Sequence, residues 1–394
     1  MSKIDDLISK YCPNGVEHRP LWEITIWDKK FNGVEKNMQP KIIKYPYLLA
    51  ADMKALETPK GDVRLLSTGI GDLKYTTEEL AGDNLCDGEI VAIPWGGTPN
   101  VKYYKGKFVT ADNRIATSTN PEILSNKFLY YYLSANLDII TSFYRGAGIQ
   151  HPNMKSVLTM SIPLPPLSVQ QEIVRILDGF AELEKELEKE LVARRKQYEY
   201  YRNQLVSFGE GGNHACDVKW VKLGDFIPFK RGVRVVKAQL SEEGMFPVYQ
   251  NSLIPLGFFD KYNCSENTVF IIMAGAAGGI GYSASRFWAA DDCYYFEDKS
   301  EIVTRYLYHF LMTKRNVILS GVRKASVPRL SKNVIENLQI PLPPLAEQER
   351  IVAILDKFDA LVNDISVGLP AELKARRKQY EYWRNKLLDF KEAV

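Results

Sequence analysis

Apolar and polar positions alternate along this chain in one order, and the order occurs twice. The first run holds "DGEIVAIPWGG" (87–97) and "VKYYKGKFVTAD" (101–112). The second holds "NTVFIIMAGAAGG" (267–279) and "IGYSASRFWAAD" (280–291). Short apolar stretches bounded by glycine predict strands joined by turns. Helical spacing follows around 122–140 and 300–318, then a polar loop, then the tripled prolines of "IPLPP". Beyond the prolines the period lengthens to that of a heptad.

Residues 168–206 predict one long helix. Its seam carries Ile173, Leu177, Phe180, Leu187, Leu191, Tyr198, Tyr201 and Leu205, interrupted only by Glu184 and Arg194. Pro163, Pro165 and Pro166 keep the helix from starting earlier. At 1.5 Å per residue the helix would span roughly 58 Å. A second helix repeats the frame through Ile351, Leu355, Phe358, Val362 and Ile365. It then meets "VGLPAEL", where Gly368 and Pro370 predict a kink or restart. Tyr380, Trp383 and Leu387 resume the seam in a shifted phase.

The two halves align closely in their helices. "IPLPPLSVQQEIVRILDGF" (162–180) matches "IPLPPLAEQERIVAILDKF" (340–358) at an offset of 178. "ARRKQYEYYRNQL" (193–205) matches "ARRKQYEYWRNKL" (375–387) at 11 of 13 positions, at an offset of 182. The change of four residues is a stutter in coiled-coil terms. Further back, "FLYYYL" (128–133) aligns with "YLYHFL" (306–311), and "GKFVTAD" (106–112) with "SRFWAAD" (285–291). The chain is thus a tandem in which the helices stayed alike while the globular parts diverged. Shared helices imply one job done twice, and diverged globular parts imply two jobs.

The pattern predicts an α+β chain of four parts. These are a globular domain over 1–161, a helix over 162–207, a second globular domain over 208–339 and a second helix over 340–394. The two helices are expected to pack antiparallel as a coiled coil, with pseudo-two-fold symmetry.

Composition narrows the function. The chain has 394 residues and a net charge of +3, so its sum of charge says little about partners. The distribution says more. No acid lies between Glu301 and Glu336, or between Asp138 and Glu172. Residues 218–339 carry 16 basic and 11 acidic side chains, against 19 and 18 over residues 1–161. Acid-free loops placed alike in both halves are an expected footprint of phosphate contact. Five cysteines without C-x-x-C spacing speak against a disulfide framework or a structural zinc site. The N-terminus lacks the apolar run of a signal peptide, and no stretch is long enough to span a membrane. A cytoplasmic protein is the expectation. There is no Walker A sequence, and "GAAGGIGY" (275–282) fits a hairpin turn rather than a dinucleotide loop. The four histidines are scattered and no carboxylate pair stands out, so no catalytic or metal-ligating residue is expected.

The paired "IPLPPL…QQEIVRILD" and "ARRKQYEY" segments, with "YCPNGVEHRPLWEI" at the start, resemble the specificity (S) subunit of type I restriction–modification systems. The resemblance covers the whole chain. It implies two target recognition domains, each reading half of a bipartite, asymmetric DNA sequence. It implies a coiled-coil spacer that sets the gap and docks two methyltransferase (modification) subunits, with a motor-nuclease restriction subunit joining through them. It implies a defence role in which DNA methylation and cleavage belong to partners. S-adenosylmethionine, ATP and magnesium are expected only on those partners, so this chain would hold no cofactor. A methylation-only system, or a coiled-coil scaffold that binds no DNA, remains the alternative.

Candidate DNA-binding residues are Lys102, Lys105, Lys107, Arg145, Gln150, His151, Asn153 and Lys155 in the first domain. In the second they are Lys230, Arg231, Arg234, Arg323, Lys324, Arg329 and Lys332. Arginine and glutamine can read base edges, and lysine suits phosphate. Arg194, Arg195, Lys196, Arg376, Arg377 and Lys378 form the candidate subunit-docking face.

Overall fold

The computed structural model describes residues 3–71, 73–208, 218–241 and 244–393. His214 and Cys216 lie outside them, and the other four cysteines are buried free thiols. The chain divides into unit 1, Met1–Lys185 with Ala375–Val394, and unit 2, Glu186–Lys374. Both divisions fall inside the repeated helices. Each unit therefore holds one globular part, the start of that part's own exit helix, and the tail of the other repeat's helix.

Unit 1 is built on a six-stranded sheet. Its strands are β1 (Thr25–Trp27), β2 (Val63–Leu66), β3 (Lys74–Thr76), β4 (Cys86–Pro94), β5 (Lys102–Thr110) and β6 (Asn113–Ser118). The spatial order is β1-β6-β4-β5-β2-β3. All pairs are antiparallel except β2 with β5. Helix α1 (Asn126–Ala135) buries Phe128, Leu129, Tyr131 and Leu133. The end of the chain closes this unit. Val16 N–H donates to Lys391 O at 2.9 Å, and Ala393 N–H donates to Val16 O at 2.9 Å.

Unit 2 has the strands β7 (Phe229–Arg231), β8 (Phe246–Tyr249), β9 (Gly257–Phe259), β10 (Thr268–Ile272), β11 (Ile280–Ser283), β12 (Trp288–Ala289) and β13 (Cys293–Phe296). They form a four-stranded sheet, β7-β13-β10-β11, and a three-stranded one, β9-β8-β12. The parallel pair β8 with β12 corresponds to β2 with β5 in unit 1. Between β10 and β11 the "GAAGG" segment is the expected turn, with Gly275 and Gly278 at φ +82° and +85°. Helix α3 (Thr304–Thr313) buries Tyr306, Leu307, His309, Phe310 and Leu311 against β10 and β11.

The helices expected over 122–140 and 300–318 are each two shorter ones. A second segment begins at Leu137 in unit 1 and at Arg315 in unit 2. Asn136 breaks the first with φ −100°, ψ 24°, its side chain donating to Tyr132 O at 2.9 Å.

The long helix is α2 (Leu167–Val206), 40 residues without interruption. Its counterpart is broken into α4 (Leu345–Asn363) and α5 (Leu369–Leu388). Asp364 ends α4 by accepting from Ser366 N–H at 2.7 Å and Val367 N–H at 3.2 Å. A Cβ at Gly368 would lie 2.4 Å from Ala360 O, so only glycine fits there. Pro370 stands in the first turn of α5, where its missing N–H costs nothing.

The expected seam holds with three corrections. Ile173 and Leu177 are fully buried, Phe180, Leu187 and Leu191 half-buried, and Tyr198 buried. Glu184 and Arg194, the two charged positions of the seam, are half-buried too. Past Tyr198 the buried face moves on by one residue. Tyr201 is 40% exposed, while Arg202 and Val206 are buried and Leu205 is half-buried. Tyr201 still stacks its ring on Phe358, centroids 5.5 Å apart. Ile365 is exposed because α4 has already ended. Ile351 and Leu355 are fully buried, Tyr380 and Trp383 half-buried, and Leu387 buried. Within unit 1, Phe180 meets Tyr380 (6.4 Å) while Glu184 meets Arg377 (2.6 Å). Rising numbers on α2 meet falling numbers on α5, so these two helices run antiparallel there.

One buried amide fastens each exit helix to its globular part. Gln170 accepts from Ser125 N–H (2.9 Å) and donates to Ile123 O (2.7 Å) and Pro165 O (2.8 Å). Gln348 accepts from Val303 N–H (2.8 Å) and donates to Glu301 O (3.1 Å) and Pro343 O (2.9 Å). Both glutamines are 0% exposed. A charged clamp lies about two to three turns further on. In unit 1 Asp178 takes Lys127 (2.7 Å) and the Tyr131 hydroxyl (2.5 Å). In unit 2 Asp356 takes Arg305 (2.7 Å) and His309 Nε2 (3.0 Å), and Asp359 takes Arg305 (2.7 Å) and the Tyr198 hydroxyl (3.2 Å).

Burial sets the state of the unit 2 clamp. It pushes the pKa of His309 below its ordinary 6.5, outweighing the hydrogen bond that the ring donates to Asp356. Burial also opposes ionisation of Asp356, but the hydrogen bonds from His309 and Arg305 win and hold its pKa below 3.8.

Gln348→Ala leaves one buried donor and two buried acceptors unpaired, and is expected to destabilise unit 2 by on the order of 3 kcal/mol. Urea unfolding followed by fluorescence measures this, and an unchanged midpoint would contradict it. Acid offers a second test. The unfolded chain protonates its histidine as the pH falls through 6.5, before folded His309 does, so stability drops below that pH. Melting temperatures from pH 8 to 5 should show this loss, and His309→Gln should flatten it.

Candidate nucleic-acid interface

The acid-free loops fold alike. In unit 1, Tyr144–Arg145 pairs antiparallel with His151–Pro152. In unit 2, Val322–Arg323 pairs antiparallel with Arg329–Leu330. Arg145 stands opposite His151, and Arg323 opposite Arg329. The offset of 178 is kept, so the two hairpins occupy one place in the repeat. Each tip is exposed, with Ile149 at 71% and Val327 at 49%. A short helix follows each one, Met154–Leu158 and Lys332–Glu336.

Each hairpin is seated by the loop after a central strand. His151 Nδ1 lies 2.8 Å from Trp95 O, and its ring lies 4.8 Å from the indole. The Arg114 guanidinium covers that indole at 3.9 Å. A Cβ at Gly96 would fall 2.8 Å from Ile149 and 3.2 Å from His151, so glycine makes room for the hairpin. In unit 2, Gly275 N–H donates to Pro328 O (3.1 Å) and Leu330 N–H to Met273 O (2.8 Å). Gly96 and Gly275 align at the offset of 179 that already matches the neighbouring strands. That alignment was the available signal for these seats; Trp95 and Arg114 carried none, since their roles depend on the hairpin folding back.

The candidate residues separate by environment. Arg323, Lys324, Arg329 and Arg234 are exposed, and none forms an ion pair among the described residues. Arg145 is exposed and donates to Tyr144 O at 3.1 Å. Gln150 and His151 are exposed beside it. Asn153 is exposed, but its side chain caps the following helix by accepting from Ser156 N–H at 3.3 Å. Lys155 pairs with Glu35 (2.6 Å), and Lys332 with Glu336 (2.7 Å). Lys230 pairs with Glu297, and Arg231 donates to Asp291 O at 2.9 Å. Exposed pairs of this kind are weak enough to exchange for phosphate. Lys102, Lys105 and Lys107 sit on β5 rather than on the hairpin. Lys105 pairs with Glu89 (3.4 Å) and Lys107 with Glu78. Lys102 is half-buried, with its ammonium on Ser67 O (2.7 Å) and Thr68 O (2.9 Å). Its pKa is lowered to about 8, by burial first and by Arg64 second.

The six basic residues of the repeated helix divide similarly. Arg195, Lys196 and Lys378 are exposed. Arg194 bonds along its own helix to Gln197 (3.0 Å) and Glu190 (3.4 Å), and Arg376 to Gln379 (3.2 Å). Arg377 is committed to Glu184 of α2. No helix among the described residues is long and apolar enough to cross a membrane.

Known proteins match this arrangement. The family model for the type I restriction modification DNA specificity domain matches twice, over residues 39–193 and 216–375. A type I restriction enzyme specificity subunit of Haemophilus influenzae is 34% identical over 333 residues, 77% of this chain and 83% of its own length. The EcoR124I/EcoR124II specificity subunit of Escherichia coli is 30% identical over 307 residues, 70% and 74% of the two chains. The crystal structure of an S subunit from M. genitalium covers 94% of this chain and 96% of that one, with a TM-score of 0.64 at 20% identity, and shares the fold. Two family domains in tandem, and relatives of this identity and coverage, make this chain a member of the type I restriction–modification DNA specificity subunit family.

Proposed function

We propose that each unit reads one half of a bipartite, asymmetric DNA target through its hairpin and the neighbouring basic side chains. The observation that carries this is the matched pair of exposed, acid-free hairpins in globular parts that otherwise diverged. Phosphate contacts position a protein, and base edges supply the sequence code. Arg323 and Arg329 of unit 2, and Arg145 with Gln150 of unit 1, have the chemistry for base edges. Lysines and the paired cations nearby suit the backbone.

The chain would act without catalysis or a cofactor of its own, in the cytoplasm. Two methyltransferase subunits would dock on the repeated helix tails, using Arg195, Lys196 and Lys378, and a restriction subunit would join through them. Exposed Tyr200 and Tyr382, both 60% accessible, support this, because these repeated aromatics touch only near neighbours on their own helices and stay outside both cores. The helix pair would serve as a coiled-coil spacer that sets the gap between half-sites.

Arg323→Gln with Arg329→Gln should weaken DNA binding by the assembled complex, by about 1–3 kcal/mol per lost base contact, and relax the sequence preference at one half-site. Unchanged affinity and preference would refute the hairpin as the reader. Inserting four residues at Leu187 should change the gap between half-sites and leave both half-sites intact. Methylome sequencing gives the gap directly, and the same gap in the variant would rule out the spacer.

A further inference from the structure

A cleft of about 530 Å³ in unit 1 lies between β2, β5, α1 and the tail of α5. Arg64, Lys102 and Arg384 all line it, and no carboxylate is among its described lining residues. Like charges gathered with no acid among the described lining residues repel one another, so this arrangement suits a bound anion. The cations are also underused. Arg64 NH1 and Arg384 Nε are buried without an acceptor among the described residues. The Lys102 ammonium is held on two backbone carbonyls rather than by a carboxylate.

Two further features point to more than a bare anion. Asn100, 6% exposed, lines the cleft and donates its amide to Thr68 O (3.0 Å) and Thr98 O (2.9 Å). That pairing fixes which end of the amide is oxygen, and its Oδ1 has no donor among the described residues. Tyr75, Tyr103, Tyr104 and Tyr130 add aromatic surface to the walls. Exposed Ile70 and Leu73 lie at the rim, 77% and 67% accessible. The cleft beside the matching tail arginine of unit 2, Arg202, includes Glu199 and so offsets its own cations.

We propose that this cleft binds a nucleotide unit, its phosphoryl group on Arg64 and Arg384 and its base against the tyrosine rings. Two guanidinium groups suit a phosphoryl group, and an orphan acceptor suits the N–H or O–H of a base or sugar. Phosphoryl chemistry could come from a free nucleotide or from a DNA strand, and the two sources are separable. The inference stands apart from the hairpin reading, since it concerns other residues.

The test uses the purified full chain. Calorimetric titrations use adenosine 5′-monophosphate, adenosine, inorganic phosphate and a DNA duplex, on wild type, Arg64→Gln and Arg384→Gln. Melting temperature reports whether each variant is folded. Saturable binding of the monophosphate, with adenosine much weaker and each variant losing roughly ten-fold, supports a free nucleotide. Duplex binding that phosphate competes away and that both variants weaken supports a DNA strand. Either result holds even where the hairpin variants leave DNA binding untouched. Absence of saturable monophosphate or phosphate binding, together with unchanged duplex affinity in both folded variants, overturns the proposal.

Discussion

A buried side-chain amide determines how each globular part meets its helix. Gln170 and Gln348 sit three residues beyond "LPPL", wholly enclosed, and each satisfies one backbone N–H and two carbonyls. One carbonyl belongs to the proline exit, and the other two groups belong to the loop before α1 or α3. The amide thus fixes the direction in which α2 and α4 leave their domains. No shorter or charged residue can make all three bonds, which accounts for the repeat of both the prolines and the glutamine. The aspartate clamps at Asp178 and Asp356 then lock the same helix to the same partner further along. Their cationic and aromatic partners differ, Lys127 with Tyr131 against Arg305 with His309, but the geometry is shared.

The repeated tail has two uses that separate by face. Tyr198 and Tyr380 pack inward, and Arg202 and Arg384 lie over those rings at 5.0 and 5.5 Å. Val206 and Leu388 close each core. The same tail therefore completes a unit twice, each time a unit whose globular part belongs to the other repeat. Packing accounts for that much of the near-identity. It does not account for Tyr200, Tyr382, Lys196 or Lys378, which point to solvent in both copies.

The hairpins show how divergence and constancy coexist. Their ladder positions, the glycine beneath them and the short helix behind them are shared. Their tips are not: "GAGIQ" carries one polar amide, while "KASVP" carries a lysine and a proline. A common frame with unlike tips is what two readers of different sequences require.

By itself the sequence determined the tandem, the long helix, the break at Gly368 and the seam as far as Tyr198. These depend on local rules: proline and glycine geometry, heptad spacing, and alternation in strands. It also located both acid-free loops, because charge composition is visible without a fold. Only the tertiary structure decided the rest. The unit boundaries inside α2 and inside α5, the turn of the buried face from Tyr201 to Arg202, and the pairing of Arg377 with Glu184 all depend on neighbours distant in sequence. So does the gathering of Arg64, Lys102 and Arg384, three cations from three segments. Their spacing along the chain carries no trace of it, because sheet order and helix return, rather than sequence separation, place them in one cleft.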